Sequence, residues 1–202
     1  MTIRLTRRNL LAVSGAAVLA AIGTPAWAQA SPASSFVGQF ATQLTGIVNG
    51  PQPAAQKKAA LGPVIDSHVD VAKIARFCLG RFWITATPAQ QAQYTTIFNQ
   101  VLLNNIRGHL GDYRGVTFAL QGETPQGANT LVGTAINRPN APMANVQWVV
   151  DSSSGAPKVV DVVAEGTSLR LTQRSDYASF LSRHNNDISA LLTALQRQLD
   201  AG

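Results

Sequence analysis

The sequence predicts an α+β domain, with amphipathic helices packed on one face of an antiparallel sheet of about four strands. Up to about residue 110, and again after residue 177, apolar residues recur at spacings of three and four. Between Val116 and Val162 they recur at every second position, in short runs divided by Gly-, Pro- and Ser-rich segments.

Residues 1–28 read as a cleavable signal peptide. Arg4, Arg7 and Arg8 form a positive head, and no acid occurs before Asp66. Leu10 to Ile22 is apolar but falls short of the ~20 residues a membrane span needs. Pro25 then precedes the small-x-small site Ala26-Trp27-Ala28, overlapped by Ala28-Gln29-Ala30. Thr6-Arg7-Arg8-Asn9-Leu10-Leu11 is similar to a twin-arginine export signal, and the choice of export route stays open. Residues 29–202 are expected to form a single domain, placed in the periplasm. Without Arg4, Arg7 and Arg8 the net charge falls from +6 to +3. No basic run is interleaved with aromatics, which argues against nucleic acid as a partner.

The helical elements follow in order. Ser34 or Ser35 is the expected N-cap of a first helix carrying Phe36, Phe40, Leu44, Ile47 and Val48 on one face, ended by Gly50-Pro51-Gln52-Pro53. A short Ala/Lys helix is expected to reach Gly62-Pro63, and another to run from about Val64 to Leu79 and stop at Gly80. Thr87-Pro88-Ala89-Gln90 has the form of a capping box, with threonine as N-cap, proline at the first helical position and glutamine at the third. It opens a long helix with Tyr94, Ile97, Phe98, Val101 and Leu102 on one face, closed near Gly111-Asp112. Four strands are expected around Val116–Leu120, Val132–Ile136, Val146–Val150 and Val160–Val162, with Gly122–Gly127 as the first connection. A helix with Tyr177, Phe180 and Leu181, a break at Asn185-Asn186-Asp187, and a stripe of Ile188, Leu191, Leu192, Leu195 and Leu199 complete the chain.

Chemistry-bearing clusters are sparse. Asp66-Ser67-His68-Val69-Asp70 would put three potential metal ligands on one face of a strand. On the expected helix His68 points away from both acids, so the plain reading has Asp66 near a helix N-terminus and Asp70 paired with Lys73. No metal is expected. His109 and His184 sit at predicted helix ends. Cys78, the one cysteine, has no partner for a disulfide and reads as buried filler. Signatures of serine hydrolases, zinc proteases, P-loops and dinucleotide binding are absent from the sequence, and no catalytic residue or cofactor is assigned.

Several segments together resemble the toluene-tolerance, or MlaC-type, family of periplasmic lipid-binding proteins. They are Phe77–Trp83 (FCLGRFW), Thr87–Phe98 (TPAQQAQYTTIF), Leu110–Gly115 (LGDYRG), Lys158–Leu169 (KVVDVVAEGTSL) and Arg174–Tyr177 (RSDY). Two positions depart from the family pattern: Pro157 stands where tryptophan often precedes the Lys-Val pair, and Thr167 replaces a valine before Ser168. The resemblance implies a shuttle that holds phospholipid by its acyl chains. It would exchange that lipid with an inner-membrane ABC transporter carrying a lipid-binding ring subunit and with an outer-membrane lipoprotein complex. A sister branch of the family is associated with hopanoid lipids.

On that reading an apolar cavity lies between helices and sheet. Its expected wall is Ile74, Phe98, Val101, Leu102, Tyr113, Phe118, Val146, Trp148, Val150 and Val162, each of which reads equally as plain core. Two other classes compete. One is a small exported enzyme with a cone-shaped α+β fold acting on an apolar substrate, for which Asp161 or Tyr113 would supply acid–base chemistry. The other is a structural adaptor without a cavity.

Overall fold

The computed structural model of the chain describes residues 31–108, 114–139 and 141–201; the segment read as a signal peptide, His109, the Gly111-Asp112 helix stop and Tyr113 lie outside them. Five helices come first, α1 (Pro32–Asn49), α2 (Ala54–His68), α3 (Val71–Leu79), α4 (Phe82–Thr85) and α5 (Pro88–Gly108). The strands β1 (Thr117–Gln126), β2 (Asn129–Asn137), β3 (Ala144–Asp151), β4 (Lys158–Ala164) and β5 (Thr167–Ser168) follow, then α6 (Leu169–Arg183) and α7 (Ile188–Asp200). The strands pair antiparallel in the order β1-β2-β3-β4-β5. The α+β class and the antiparallel meander are as expected, with two-residue β5 added at the edge.

The helix ends explain where expectation and structure part. α1 starts earlier than Ser34: Ser31 is the cap, its hydroxyl accepting from the Ser34 N–H at 3.1 Å, and Pro32 fills the first helical position. Gly62-Pro63 does not break α2, which continues to His68. The break falls instead at Val69-Asp70, where Val69 forms a parallel bridge to Val159 and the Asp70 N–H donates to the Val159 carbonyl at 3.0 Å. Asp66 therefore lies in the last turn of α2, not at a helix N-terminus. Asp70 caps α3 by accepting from the Lys73 N–H at 2.9 Å. The Lys73 ammonium reaches across to Asp151 instead. The capping box of α5 closes reciprocally, Gln90 N–H to Thr87 Oγ1 at 3.2 Å and Thr87 N–H to Gln90 Oε1 at 3.0 Å.

β1 is longer than its apolar alternation suggests. It runs through Gly122–Gln126, and the turn to β2 is only Gly127-Ala128. A bulge between Leu120 and Gly122 (φ 140) re-aims the strand and turns Glu123 toward the helical side. There Glu123 accepts from the hydroxyls of Ser31 and, at 2.7 Å, Ser34, which hold its carboxyl below the ordinary range. This contact pins the start of α1 to β1.

One core lies between the helices and the sheet. Val37 and Phe40 of α1, Ala75, Cys78 and Leu79 of α3, and Tyr94 and Phe98 of α5 are buried against Val132, Trp148, Val150 and Val159 of the strands. α6 and α7 extend it with Tyr177, Leu181, Leu191 and Leu195. The break between those helices uses left-handed backbone at Asn185 (φ 54) and Asn186 (φ 58), with Asp187 capping α7.

Candidate functional site

The seam between helices and sheet gathers most of the predicted wall. Phe98 and Val101 on α5, and Val146, Trp148 and Val150 on β3, are buried members of one apolar cluster. Ile74 on α3, Leu102 on α5, Phe118 on β1 and Val162 on β4 are half-buried and pack against it. Register accounts for the strand contribution: Val132 pairs with Trp148, Thr134 with Val146 and Trp148 with Val162, so these side chains share the face toward the helices. α5 packs chiefly on α3 and α7, while α1, α3 and α6 pack on the strands. Tyr113, the tenth predicted residue, is outside the described residues.

Trp148 is held rigidly at the centre. Its indole N–H donates to Thr134 Oγ1 at 2.9 Å, and the Thr134 hydroxyl donates to the Val146 carbonyl at 3.1 Å. Thr134 is fully buried, so its hydroxyl is satisfied on both sides without water. Edge-on to Trp148 stands Phe40, with ring centroids 5.5 Å apart, and His68 stacks on Phe40 at 4.7 Å and on Phe36 at 5.3 Å. His68 Nδ1 lies 2.9 Å from the Val64 carbonyl. His68 is thus an aromatic spacer of the α1–α2 packing, and among the described residues no three metal-ligating side chains come together. Sequence reasoning missed Thr134 as a site residue. The available signal was a hydroxyl at an inward strand position between Val132 and Ile136.

The groups considered for chemistry are committed elsewhere. Asp161 lies in the middle of β4 and reaches the start of α6, where Oδ2 accepts from the Ser168 hydroxyl at 2.6 Å and Oδ1 from the Arg170 N–H at 3.1 Å. Arg170 Nε adds an ion pair at 3.3 Å without hydrogen-bond alignment. This binds β4, β5 and α6 together and leaves Asp161 ill placed as a general base. Burial pushes the Cys78 thiol up to about 12, with Asp161 adding to the effect, which makes it a poor nucleophile. Burial likewise raises the hydroxyls of Tyr94 and Tyr177, and Tyr94 donates to the Ala75 carbonyl at 3.1 Å. His184 ends α6 with Nδ1 2.8 Å from the Phe180 carbonyl.

Three of the clefts among the described residues border this architecture. One of about 490 Å³ lies over the outer face of the sheet and is edged by Gln121, Gln147 and Glu165. Another, about 510 Å³, runs between α1 and α2 past Gly46, Ile47, Ala60 and Val64. The third, about 270 Å³, opens where α2 begins and α5 ends, and carries Lys57, Lys58, Arg107 and Arg114.

The chain is an α+β domain with an apolar seam between helices and sheet at its centre. The sequence narrows this further: residues 38–197 match the MlaC protein family, and the chain belongs to that family. The fold is similar to that of a phospholipid-binding protein from Ralstonia solanacearum solved in complex with a phospholipid. The two share 21% identity with a TM-score of 0.75, over 85% of this chain and 98% of that one.

Proposed function

We propose that this protein is a periplasmic lipid carrier that holds phospholipid, or a hopanoid-type lipid, by its apolar part and exchanges it with membrane transport complexes. The observation that carries the reading is membership of the MlaC family together with an apolar seam between helices and sheet. The bound phospholipid of the Ralstonia solanacearum relative supports phospholipid as the first ligand class to test.

The energetics suit the role. Each buried methylene is worth about 0.8 kcal/mol, so one long acyl chain gains on the order of 10 kcal/mol in the seam. That gain offsets much of the cost of drawing lipid out of a bilayer, and release then requires a partner that favours a conformation holding the chain less well. The cavity wall is the set named above, with Phe98, Val101, Leu102 and Ile74 on the helical side and Phe118, Val146, Trp148, Val150 and Val162 on the sheet. Among the described residues no helix is long and apolar enough to cross a membrane. The partners are an inner-membrane ABC transporter with a lipid-binding ring subunit and an outer-membrane lipoprotein complex.

The test is organic extraction and mass spectrometry of the mature protein purified from the periplasm. Stoichiometric lipid is expected. A protein that leaves the periplasm lipid-free, and takes up none from vesicles, refutes the reading.

A further inference from the structure

From Val71 to Gly111 the sequence carries no acid, and this stretch includes α3, α4 and the turn between them. Three arginines of α3, that turn and the neighbouring α6 share one arrangement. Arg76 lies over the Trp83 ring at 5.8 Å, Arg81 over Phe82 at 4.9 Å, and Arg174 of α6 over Phe77 at 5.0 Å. Gly80 joins them: its N–H donates to the Arg76 carbonyl at 3.2 Å, and a Cβ there would meet Arg174 Nε at 3.0 Å. The three residues are exposed, and among the described residues none of their side chains enters an ion pair or a hydrogen bond. Arg170 differs, since it lies over Phe77 at 4.4 Å but is also paired with Asp161. The acid of α6, Asp176, falls two positions past Arg174 and so on another side of the helix.

Stacking on a ring fixes the plane of a guanidinium and leaves the N–H donors at its edge open. Such forks suit phosphate oxygens, which accept two parallel hydrogen bonds from each. Apolar side chains stand beside them. Ile84, next to Trp83 on α4, is 85% exposed, and Leu169 and Leu171, on either side of Arg170, are 52% and 57% exposed. These are three of the five large apolar side chains exposed among the described residues, and such a concentration marks an interaction surface. An acidic protein surface would engage the arginines and leave Ile84 in water. A bilayer interface offers both media side by side, phosphates outermost and hydrocarbon beneath.

We infer that the surface formed by the end of α3, by α4 and by the start of α6 docks on anionic phospholipid bilayers, with Arg76, Arg81 and Arg174 on headgroup phosphates and Ile84 seated among the headgroups. The contact is with the membrane as a surface and lies apart from the seam, so it does not depend on which cargo the seam holds. Each arginine near an anionic leaflet is worth about a fivefold gain in binding, and three give on the order of a hundredfold.

The experiment floats the protein purified from the periplasm with vesicles of phosphatidylcholine alone, or of phosphatidylcholine and phosphatidylglycerol in equal parts. The parent is expected to bind the mixed vesicles on the order of a hundredfold more tightly, and high salt should remove most of that gain. Arg76→Gln/Arg81→Gln/Arg174→Gln should lose the selectivity, while the charge-matched control Lys58→Gln/Arg183→Gln/Arg197→Gln keeps it. Ile84→Ser should weaken binding about fivefold at unchanged melting temperature. Because Ile84 is exposed, this variant decides the question even where the arginine variant melts lower. A parent that does not prefer the anionic vesicles, an equal loss in the control, or unchanged binding by Ile84→Ser overturns the inference. The carrier reading is measured on extracted lipid and stands or falls separately. Inorganic phosphate titrated by NMR separates the two sources of the anion. If it shifts the Nε–H signals of Arg76, Arg81 and Arg174 in a protein that does not float with the vesicles, the ligand is free phosphate and the inference fails.

Discussion

Filling the seam is the most direct way to separate a lipid cavity from an ordinary core. Val146 is suited to it: its side chain is only 7% exposed, faces the helices from β3, and pairs across the sheet with Thr134. Val146→Trp adds an indole where the proposed acyl chain would lie. In a core that never opens, such overpacking costs about 1–3 kcal/mol. For a mature chain of this size each kcal/mol lowers the melting temperature by about 2–4 °C, so the drop would reach roughly 12 °C. In a carrier, α5 must already part from the sheet to admit a chain, and the new ring takes the ligand's place at a cost below about 1 kcal/mol. Bound lipid itself raises apparent stability, so the comparison is made on delipidated protein. Lipid per protein by mass spectrometry and melting temperature are then read from one preparation. Leu181→Phe, at a fully buried position on α6, serves as the overpacking control expected to melt lower and keep its lipid. A Val146→Trp protein that melts steeply lower yet retains the parent's lipid refutes the reasoning.

Three further outcomes follow from individual groups. Cys78→Ala should cost about 1–2 kcal/mol in denaturant unfolding and leave lipid retention unchanged, and the parent thiol, pushed up to about 12, should resist alkylation at pH 8 until the protein unfolds; rapid labelling of native protein would contradict this. Thr134→Val strands the buried Trp148 indole N–H and should destabilise by about 1–3 kcal/mol, whereas Thr134→Ser keeps the acceptor and should recover most of it; equal losses in the two variants would show that the hydroxyl is not what matters. The Lys73 ammonium, helped by Ser153, holds Asp151 at about 2, so its contribution is complete above the ordinary 3.8 and is lost as pH falls through about 2. Because Lys73 is 48% exposed, Lys73→Met is expected to cost only about 1 kcal/mol at pH 7 and to raise the midpoint of acid unfolding, and superimposable titrations would rule that out.

The fold class was legible because each element announces itself locally. The capping box at Thr87–Gln90, the Asn185-Asn186-Asp187 break and the period-two runs of β2 and β3 depend on neighbours within a few residues, and all of them form. The errors fall where a distant partner decides. Nothing near Val69 announces a helix break, since Val69 and Asp70 leave the helix to bond with Val159 about 90 residues away. Gly122–Gln126 reads as a turn by composition but is drawn into β1 by pairing with β2 and by the hold of Ser31 and Ser34 on Glu123. Similarly, β5 is two residues long and exists because Asp161 gathers Ser168 and Arg170.

The apolar faces that form the seam were legible in the sequence; whether they line a ligand site was not. Alternation alone puts Val146, Trp148 and Val150 on one face, and helical spacing puts Phe98, Val101 and Leu102 on another. Periodicity cannot say whether two such faces interlock permanently or part around a guest, because both are favoured by the same removal of apolar surface from water. What distinguishes them is polar and spatial. Thr134 anchors Trp148 from within the sheet, and α5 is tied chiefly to α3 and α7. The Val146→Trp protein tests whether the two faces interlock permanently or part around a guest.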